Sequence, residues 1–531
     1  MRIFFLFLVL SFSNSIGAQT FPFQIHIDSI RIPELGGLQS YAFGQHGGKW
    51  LIIGGRLDGL HRRQPWASFD LAGHNNQIWV VDPIKRQTWK TTVDGFDVPL
   101  KEQLSSTNMQ FFQNNETLYL TGGYGFSPTK DDHITYPYLT IVNIPQTIEA
   151  IMNGADITSF FKQIHDEKMA LCGGQMNTMD GVFCITGGHR FDGRYHPMNN
   201  STFEQVYSSE VRRFTVDSKT GAINWLQSIK EGELLRRRDF NVLPSIDAQE
   251  QEGLVAFSGV FRKNVDMPYL DAIAINSKGL KQVPQFAQYY NHYHCANVSF
   301  FDSEEKSMHY LFFGGIAQYY DSLGKLVADN DIPFTSAISR VYKDSKDNFS
   351  EWKEKEELPG YLGAASEFIV NPSISAMENE VIRLQDLTGD SILIGYLYGG
   401  IHSSAANIFW INTGRESKAT ELIYPVYLVR NPKGSGAVKN EQSTNGLQLQ
   451  VYPKPLEKKI LVLFHSKVSS DATVRLKSVE GKLLKTYKLK KIEKGNNTLT
   501  LKCKLLKRGM PIVFEFIEKD GRSVEQILIV N

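Results

Sequence analysis

Phe183-Cys-Ile-Thr-Gly-Gly188 is a short apolar run closed by two glycines, and the same phrase returns along the chain. Upstream it reads Trp50-Leu-Ile-Ile-Gly-Gly55 and Leu118-Tyr-Leu-Thr-Gly-Gly123. Downstream it reads Leu254-Val-Ala-Phe-Ser-Gly259, Tyr310-Leu-Phe-Phe-Gly-Gly315 and Gly395-Tyr-Leu-Tyr-Gly-Gly400. The second small residue falls at 55, 123, 188, 259, 315 and 400, giving spacings of 68, 65, 71, 56 and 85 residues. Recurrence of this kind marks a repeated supersecondary unit. Each run suits a strand covered on both faces. The small pair at its end permits positive φ and close approach of backbones.

A second element follows in half of the units. Trp79-Val-Val-Asp82 leads to Trp89, Phe214-Thr-Val-Asp217 to Trp225, and Tyr342-Lys-Asp344 to Trp352. Turn-forming stretches lie between, so each reads as strand, tight turn and a last strand bearing a Trp. A Trp there can fill the space between neighbouring units. The corresponding segments Tyr138-Leu-Thr-Ile141, Leu270-Asp-Ala-Ile-Ala-Ile275 and Asn407-Ile-Phe-Trp-Ile411 are degenerate.

With both halves in view, residues 30 to 430 resemble the kelch family of β-propellers. A kelch repeat needs about 50 residues, so the surplus falls in loops. The expectation is an all-β chain, a six-bladed kelch-type β-propeller over residues 19–430. Seven blades is the alternative suggested by the last spacing, and a β-sandwich with chance glycine pairs is the bland one. Phe23-Gln-Ile-His-Ile-Asp28 alternates apolar and polar residues. Either that strand or Leu422–Val429 is expected to close the ring and hide its open edge.

The chain has 531 residues, enough for more than one domain. Its 57 Lys and Arg against 56 Asp and Glu leave a formal charge of +1, which gives no case for a nucleic-acid or anionic-membrane partner. Met1-Arg2, an apolar stretch Ile3–Phe12 and small residues up to Ala18 form a signal peptide, 1–18, too short to span a bilayer. No later segment is expected to be transmembrane. Cys172, Cys184, Cys295 and Cys503 do not form a disulfide framework. Cys172 and Cys184 flank one turn and are open to pairing, but buried thiols are the expectation.

Residues 431–446, rich in Gly, Ser and Asn, read as a flexible linker. Beyond them, short alternating strands over 447–531 indicate a small C-terminal β-sandwich, separable from the propeller. Its landmarks are Val451-Tyr-Pro-Lys-Pro455, Gly481-Lys-Leu-Leu484, Gly495-Asn-Asn-Thr-Leu499, Leu506-Lys-Arg-Gly509 and the final Gln526-Ile-Leu-Ile-Val530. They resemble the type A sorting domain of the bacterial type IX secretion system, with Met510-Pro511 departing from its pattern. The resemblance implies a Bacteroidota-type source, export through the periplasm, the type IX machinery as partner, and a secreted or outer-membrane surface location.

The loops after the Gly-Gly strands and those entering each unit carry Arg, His and Tyr. The candidate ligand-binding set is Arg56, His61, Arg62, Trp66, Tyr124, His189, Arg190, Arg194, Tyr195, Arg238, His294 and His402. Arg binds carboxylates bidentately and aromatic rings stack on sugar faces. The competing view is that exposed loops are polar anyway. No sialidase-type Asp box, phosphate loop, zincin motif or nucleophile elbow occurs. His292 and His294 share one strand face, and without a third ligand they read as a structural pair. No metal or cofactor is expected, and no catalytic residue is assigned. Two functions fit: a surface binding or interaction module for a glycan or protein, or a carbohydrate-active enzyme resembling the kelch sialic-acid mutarotases. A deep central pocket with convergent Arg and carboxylate groups favours the second, and a flat loop face the first.

Overall fold

The computed structural model describes residues 20–530 apart from 63, 197–202, 218, 323–324, 437, 440–448, 455–456, 467, 508 and 520. The signal peptide expected at 1–18 lies outside the described residues. The chain is all-β in character, with two short α-helices among the described residues, Val98–Leu104 and Ile144–Met152.

Among the described residues, six antiparallel sheets each take four strands in a simple meander. The first holds Ala42–His46, Lys49–Ile53, Gln77–Asp82 and Gln87–Thr92. The second holds Thr107–Asn114, Thr117–Ser127, Tyr138–Asn143 and Phe161–His165. The third holds Gln175–Met179, Val182–Thr186, Glu210–Val216 and Ile223–Trp225. The fourth holds Asn241–Ile246, Glu252–Phe257, Ala272–Asn276 and Gly279–Gln282, and the fifth Asn297–Asp302, Ser307–Phe313, Ala337–Lys343 and Phe349–Glu357. The sixth takes Tyr361–Val370, Ser391–Ser403 and Leu422–Gly436, and its outer strand is Thr20–Ile27 from the other end of the chain. Gln24 pairs with Val429 and Ile27 with Val426. Both strands proposed for closure therefore lie side by side in one sheet.

Neighbouring sheets share apolar layers. Leu51 and Val80 cluster with Leu118 and Leu120. Phe112 meets Phe183, Cys184 clusters with Val242, and Phe257 meets Phe312. Phe313 stacks on Phe368, and Tyr396 of the sixth sheet packs edge-on against Trp50 of the first. The circuit of layers returns to its start. The last-strand tryptophans sit in these layers: Trp89 between the first two sheets, Trp225 between the second and third, and Trp352 edge-on to Phe21 at the seam, 5.4 Å between centroids. Arg340 bolts the same seam. Fully buried, it bonds Glu354 at 2.7 Å and the Phe23 carbonyl at 3.0 Å, and its guanidinium lies over both Phe21 and Phe23.

Every small pair adopts left-handed backbone, from Gly54 and Gly55 (φ 69° and 87°) to Gly399 and Gly400 (φ 72° and 85°); in the fourth, Ser258 takes φ 54°. All four cysteines are free and buried.

The C-terminal strands form two sheets over one core. Leu449–Lys454, Lys459–Ser466 and Gly495–Lys502 make the first. Ser470–Lys477, Leu483–Ile492, Pro511–Glu518 and Ser523–Ile529 make the second. The structure alters the expectation of a free tether. The strand starting at Leu422 stays paired through Gly436, which faces Thr20, and Val438–Lys439 pairs with Lys353 and Trp352. The rest of the expected linker, from 440, lies outside the described residues. Nor are the two parts independent. Ser523–Ile529 would be an open edge, and the hairpin Tyr319–Ser322/Lys325–Ala328 covers it, with Val327 opposite Ile527 and Ala328 opposite Leu528. Leu270, Tyr289, Tyr290 and Tyr319 then join Val451, Val474 and Phe514 in one apolar cluster.

Candidate functional site

One residue in or shortly before the first strand of each sheet takes part in a single backbone network: Ser40, Asn108, Gly173, Asp239, His294 and Ala365. Five links of a backbone hydrogen-bond belt join them. Ser40 N–H donates to the Ala365 carbonyl (2.9 Å), Ala365 to His294 (2.6 Å), His294 to Asp239 (3.2 Å), Asp239 to Gly173 (2.9 Å) and Asn108 to Ser40 (3.2 Å). Ser40, Asn108, Asp239 and Ala365 hold left-handed φ of 50° to 60° to make these turns. Such backbone costs an L-residue about 1–2 kcal/mol, and the belt over-determines it.

All six belt residues line a cavity of about 770 Å³. Its wall comes from the segments after the second strands, where the small pairs release the chain, and from the segment 236–238 that enters the fourth sheet. Arg56, Arg236, Arg238, Arg262 and Lys263 line it against Asp239, Asp266 and Asp331, an excess of two positive charges. The aromatic lining includes Phe69, Tyr195, Tyr207, Phe261 and Trp410.

Seven of the twelve candidate residues meet here: Arg56, His61, Tyr124, His189, Tyr195, Arg238 and His294. Arg56 is buried and held bidentately by Asp58 at 2.7 and 2.6 Å, and by the Asp70 carbonyl at 3.0 Å. Its Nη1, like Nε of Arg238, is a buried donor with no hydrogen-bond partner among the described residues. Burial works against the Arg238 charge, yet Asp239, with Nη1–Oδ2 at 3.4 Å, holds its pKa above the ordinary value. Arg236 lies over the Tyr207 ring, 4.2 Å to the centroid, and forms no ion pair among the described residues.

His61 stacks on Phe69, and enclosure, with Arg238 nearby, lowers its pKa to about 4. His189 is pushed well below its usual pKa by burial and by Arg238, and its Nδ1 accepts the Gln205 amide at 2.6 Å. His294 goes the other way. Burial disfavours its charge, but Nε2 sits 3.1 Å from Glu367 Oε1, and that carboxylate, with Asp239 behind it, raises the pKa. Tyr124 is part of the wall's framework, its hydroxyl donating to the Gly193 carbonyl and accepting from Tyr195 N–H.

The other five candidates lie elsewhere. Arg62 is exposed and folds over Gly414. Trp66 is 72% exposed on the short helix Pro65–Ala67. Arg190 is engaged by Asp192 and Glu167, both at 2.7 Å. Arg194 donates to the Trp66 carbonyl at 2.8 Å. His402 stands in the strand Ser391–Ser403, outside the cavity wall. His292 is no ligand either: its two ring nitrogens bond the Gly314 carbonyl and the Ser339 hydroxyl. Among the described residues no group of three His, Cys, Asp or Glu is arranged to hold a metal.

The candidate set omitted Asp239, Tyr207, Arg262 and Trp410. A usable signal exists for the floor: Ser40, Asn108 and Gly173 each stand fifteen residues before the second glycine of their unit. No helix among the described residues is long and apolar enough to cross a membrane.

No protein-family model matches this chain, and no curated protein does. Among solved structures the chain is similar to that of YjhT, with 10% identity, a TM-score of 0.43, and coverage of 76% of this chain and 97% of that one.

Proposed function

We propose that residues 20–430 form a six-bladed kelch-type β-propeller, followed by a small β-sandwich, and that its axial cavity binds a carboxylated sugar. The observation that carries this is the pair of unpartnered buried guanidinium donors, Arg56 Nη1 and Arg238 Nε, in a cavity with excess positive charge. Buried donors call for an acceptor, and a carboxylate suits a guanidinium fork. The rings of Tyr195, Tyr207 and Phe261 offer sugar-stacking surface beside it. The test is calorimetric titration with N-acetylneuraminic acid, a uronic acid and their neutral counterparts. Binding should require the carboxylate. Arg238→Lys, which keeps the charge but loses the fork, should weaken binding at least tenfold, as expected from about 1.5–3 kcal/mol per charge-assisted bond. Equal affinity for neutral and acidic sugars would sink the proposal.

A second reading, a mutarotase-like enzyme, is favoured by His294, which lines the cavity beside Asp239 and is backed by Glu367 at 3.1 Å, an arrangement suited to a general acid or base. Anomer exchange followed by NMR, lost in His294→Gln, separates it from simple binding. We also propose that the protein is exported after cleavage at Ala18 and sorted to the surface by residues 447–531. N-terminal sequencing of exported protein that began at Met1 would refute the first part.

A further inference from the structure

We propose that Trp410 forms a second sugar-ring subsite at the cavity mouth, so that the ligand is an anionic oligosaccharide and not a free monosaccharide. This inference rests on the cavity reading above and extends it. Trp410 lines the cavity and is still 58% exposed, and its neighbour Ile411 is 61% exposed. Single exposed apolar residues are ordinary. Two adjacent ones beside a cationic cavity, on a turn with no freedom to fold away, are different.

The turn is fixed on three sides. Ile408 is fully buried in a cluster with Ile316, Phe334 and Ile401. Phe409 stacks on Phe334 at 5.7 Å with planes 9° apart. The Asn412 side-chain amide donates to the carbonyls of Leu60 and His61, both at 3.0 Å, and Ile411 N–H closes the turn onto Ile408 at 3.0 Å. The indole is thus presented by a rigid support. A rigid aromatic contributes contact area with little loss of side-chain freedom. The occupant follows from continuity with the cavity: a carboxylated terminal unit among the guanidinium groups places the next ring of the same glycan at the mouth. The exposed aromatic that the sequence suggested, Trp66, lies outside the wall and does not serve this role.

The experiment compares N-acetylneuraminic acid with its lactose-linked trisaccharide on the full chain, wild type and Trp410→Ala. The trisaccharide should bind roughly threefold to tenfold more tightly than the monosaccharide, the range expected of an added aromatic contact. Trp410→Ala should erase that difference without changing the melting temperature, and Trp410→Phe should keep most of it. If monosaccharide binds but the trisaccharide gains nothing, or the gain survives Trp410→Ala, the subsite is refuted while the cavity reading stands. If neither sugar binds, the cavity reading fails and takes the subsite with it.

Discussion

Gly188 is the sharpest point at which the repeat can be tested. It hands the chain from the strand Val182–Thr186 to His189, which lines the cavity. Its φ is +79°, and a Cβ built there would lie 2.8 Å from Gly174 N, 2.9 Å from the Cys172 carbonyl oxygen and 2.9 Å from Gly174 Cα. All three are backbone atoms, so no side chain can swing aside. The same residues carry the Cys172–His189 bridge, with hydrogen bonds of 2.8 and 3.0 Å, and Gly188 N–H donates to the Arg237 carbonyl at 3.0 Å. Gly188→Ala therefore adds about 1–2 kcal/mol for left-handed backbone to about 1–3 kcal/mol for overpacking, or about 2–5 kcal/mol in all. Gly232→Ala is the control, since Gly232 has φ +51° with nothing within 4 Å of the added carbon. It should cost only the backbone share. Urea denaturation at unchanged slope reads both. Equal midpoint shifts in the two variants would show that the strand does not end at a crowded backbone contact.

Two further outcomes are expected. Because Glu367 raises the His294 pKa, the pair stabilises the fold fully below the unfolded histidine value of about 6.5, and that stability is lost as pH rises through the folded value. Glu367→Gln should lower the His294 NMR titration midpoint and remove this high-pH decline relative to wild type; an unmoved midpoint would dissociate the two groups. Deleting residues 447–531 should uncover Leu270, Tyr289 and Tyr319 and destabilise the remainder by about 4.5 kcal/mol, at about 1.5 kcal/mol per large side chain, so an unchanged melting temperature would show the shared cluster to be energetically idle.

The repeat was legible because a backbone demand selected a residue type. Left-handed φ beside a neighbouring strand leaves little but glycine, and so Gly54–Gly55, Gly187–Gly188 and Gly314–Gly315 stand out in the sequence. The tryptophans of the last strands were legible for a related reason, since the gap they fill between sheets is large and recurs. The docking of the C-terminal strands was not legible. Val327 and Ile527 are opposite each other in a ladder, but each belongs to a strand that looks complete by local pattern, and backbone pairing leaves no mark on side-chain choice. The Gly-, Ser- and Asn-rich stretch after 430 looked like a tether on composition, yet its first residues extend an existing strand.

The candidate site was half legible, and the division has a physical cause. Charge and aromaticity in a loop say that a side chain can bind something, not which way the loop folds. Arg190 met that criterion and is engaged by Asp192, two residues on in the same strand, and by Glu167. Arg238 met it equally and ended in the cavity wall, because the chain turns at Asp239 into the hydrogen-bond belt. The belt positions hold Ser, Asn, Gly, Asp, His and Ala, so no side-chain motif announces them; what they share is a backbone direction. Only Asp239 and His294 among them bring titratable groups to the cavity, and both do so where the Arg cluster also arrives. Trp410 escaped for the opposite reason. It lies in a unit whose aromatic pattern had decayed, and its exposure depends on Ile408 and Phe409, the two residues before it, being drawn inward. A floor set by backbone direction and a rim set by what neighbouring residues bury are both three-dimensional properties, and that is why the residues lining the cavity had to be found in the fold.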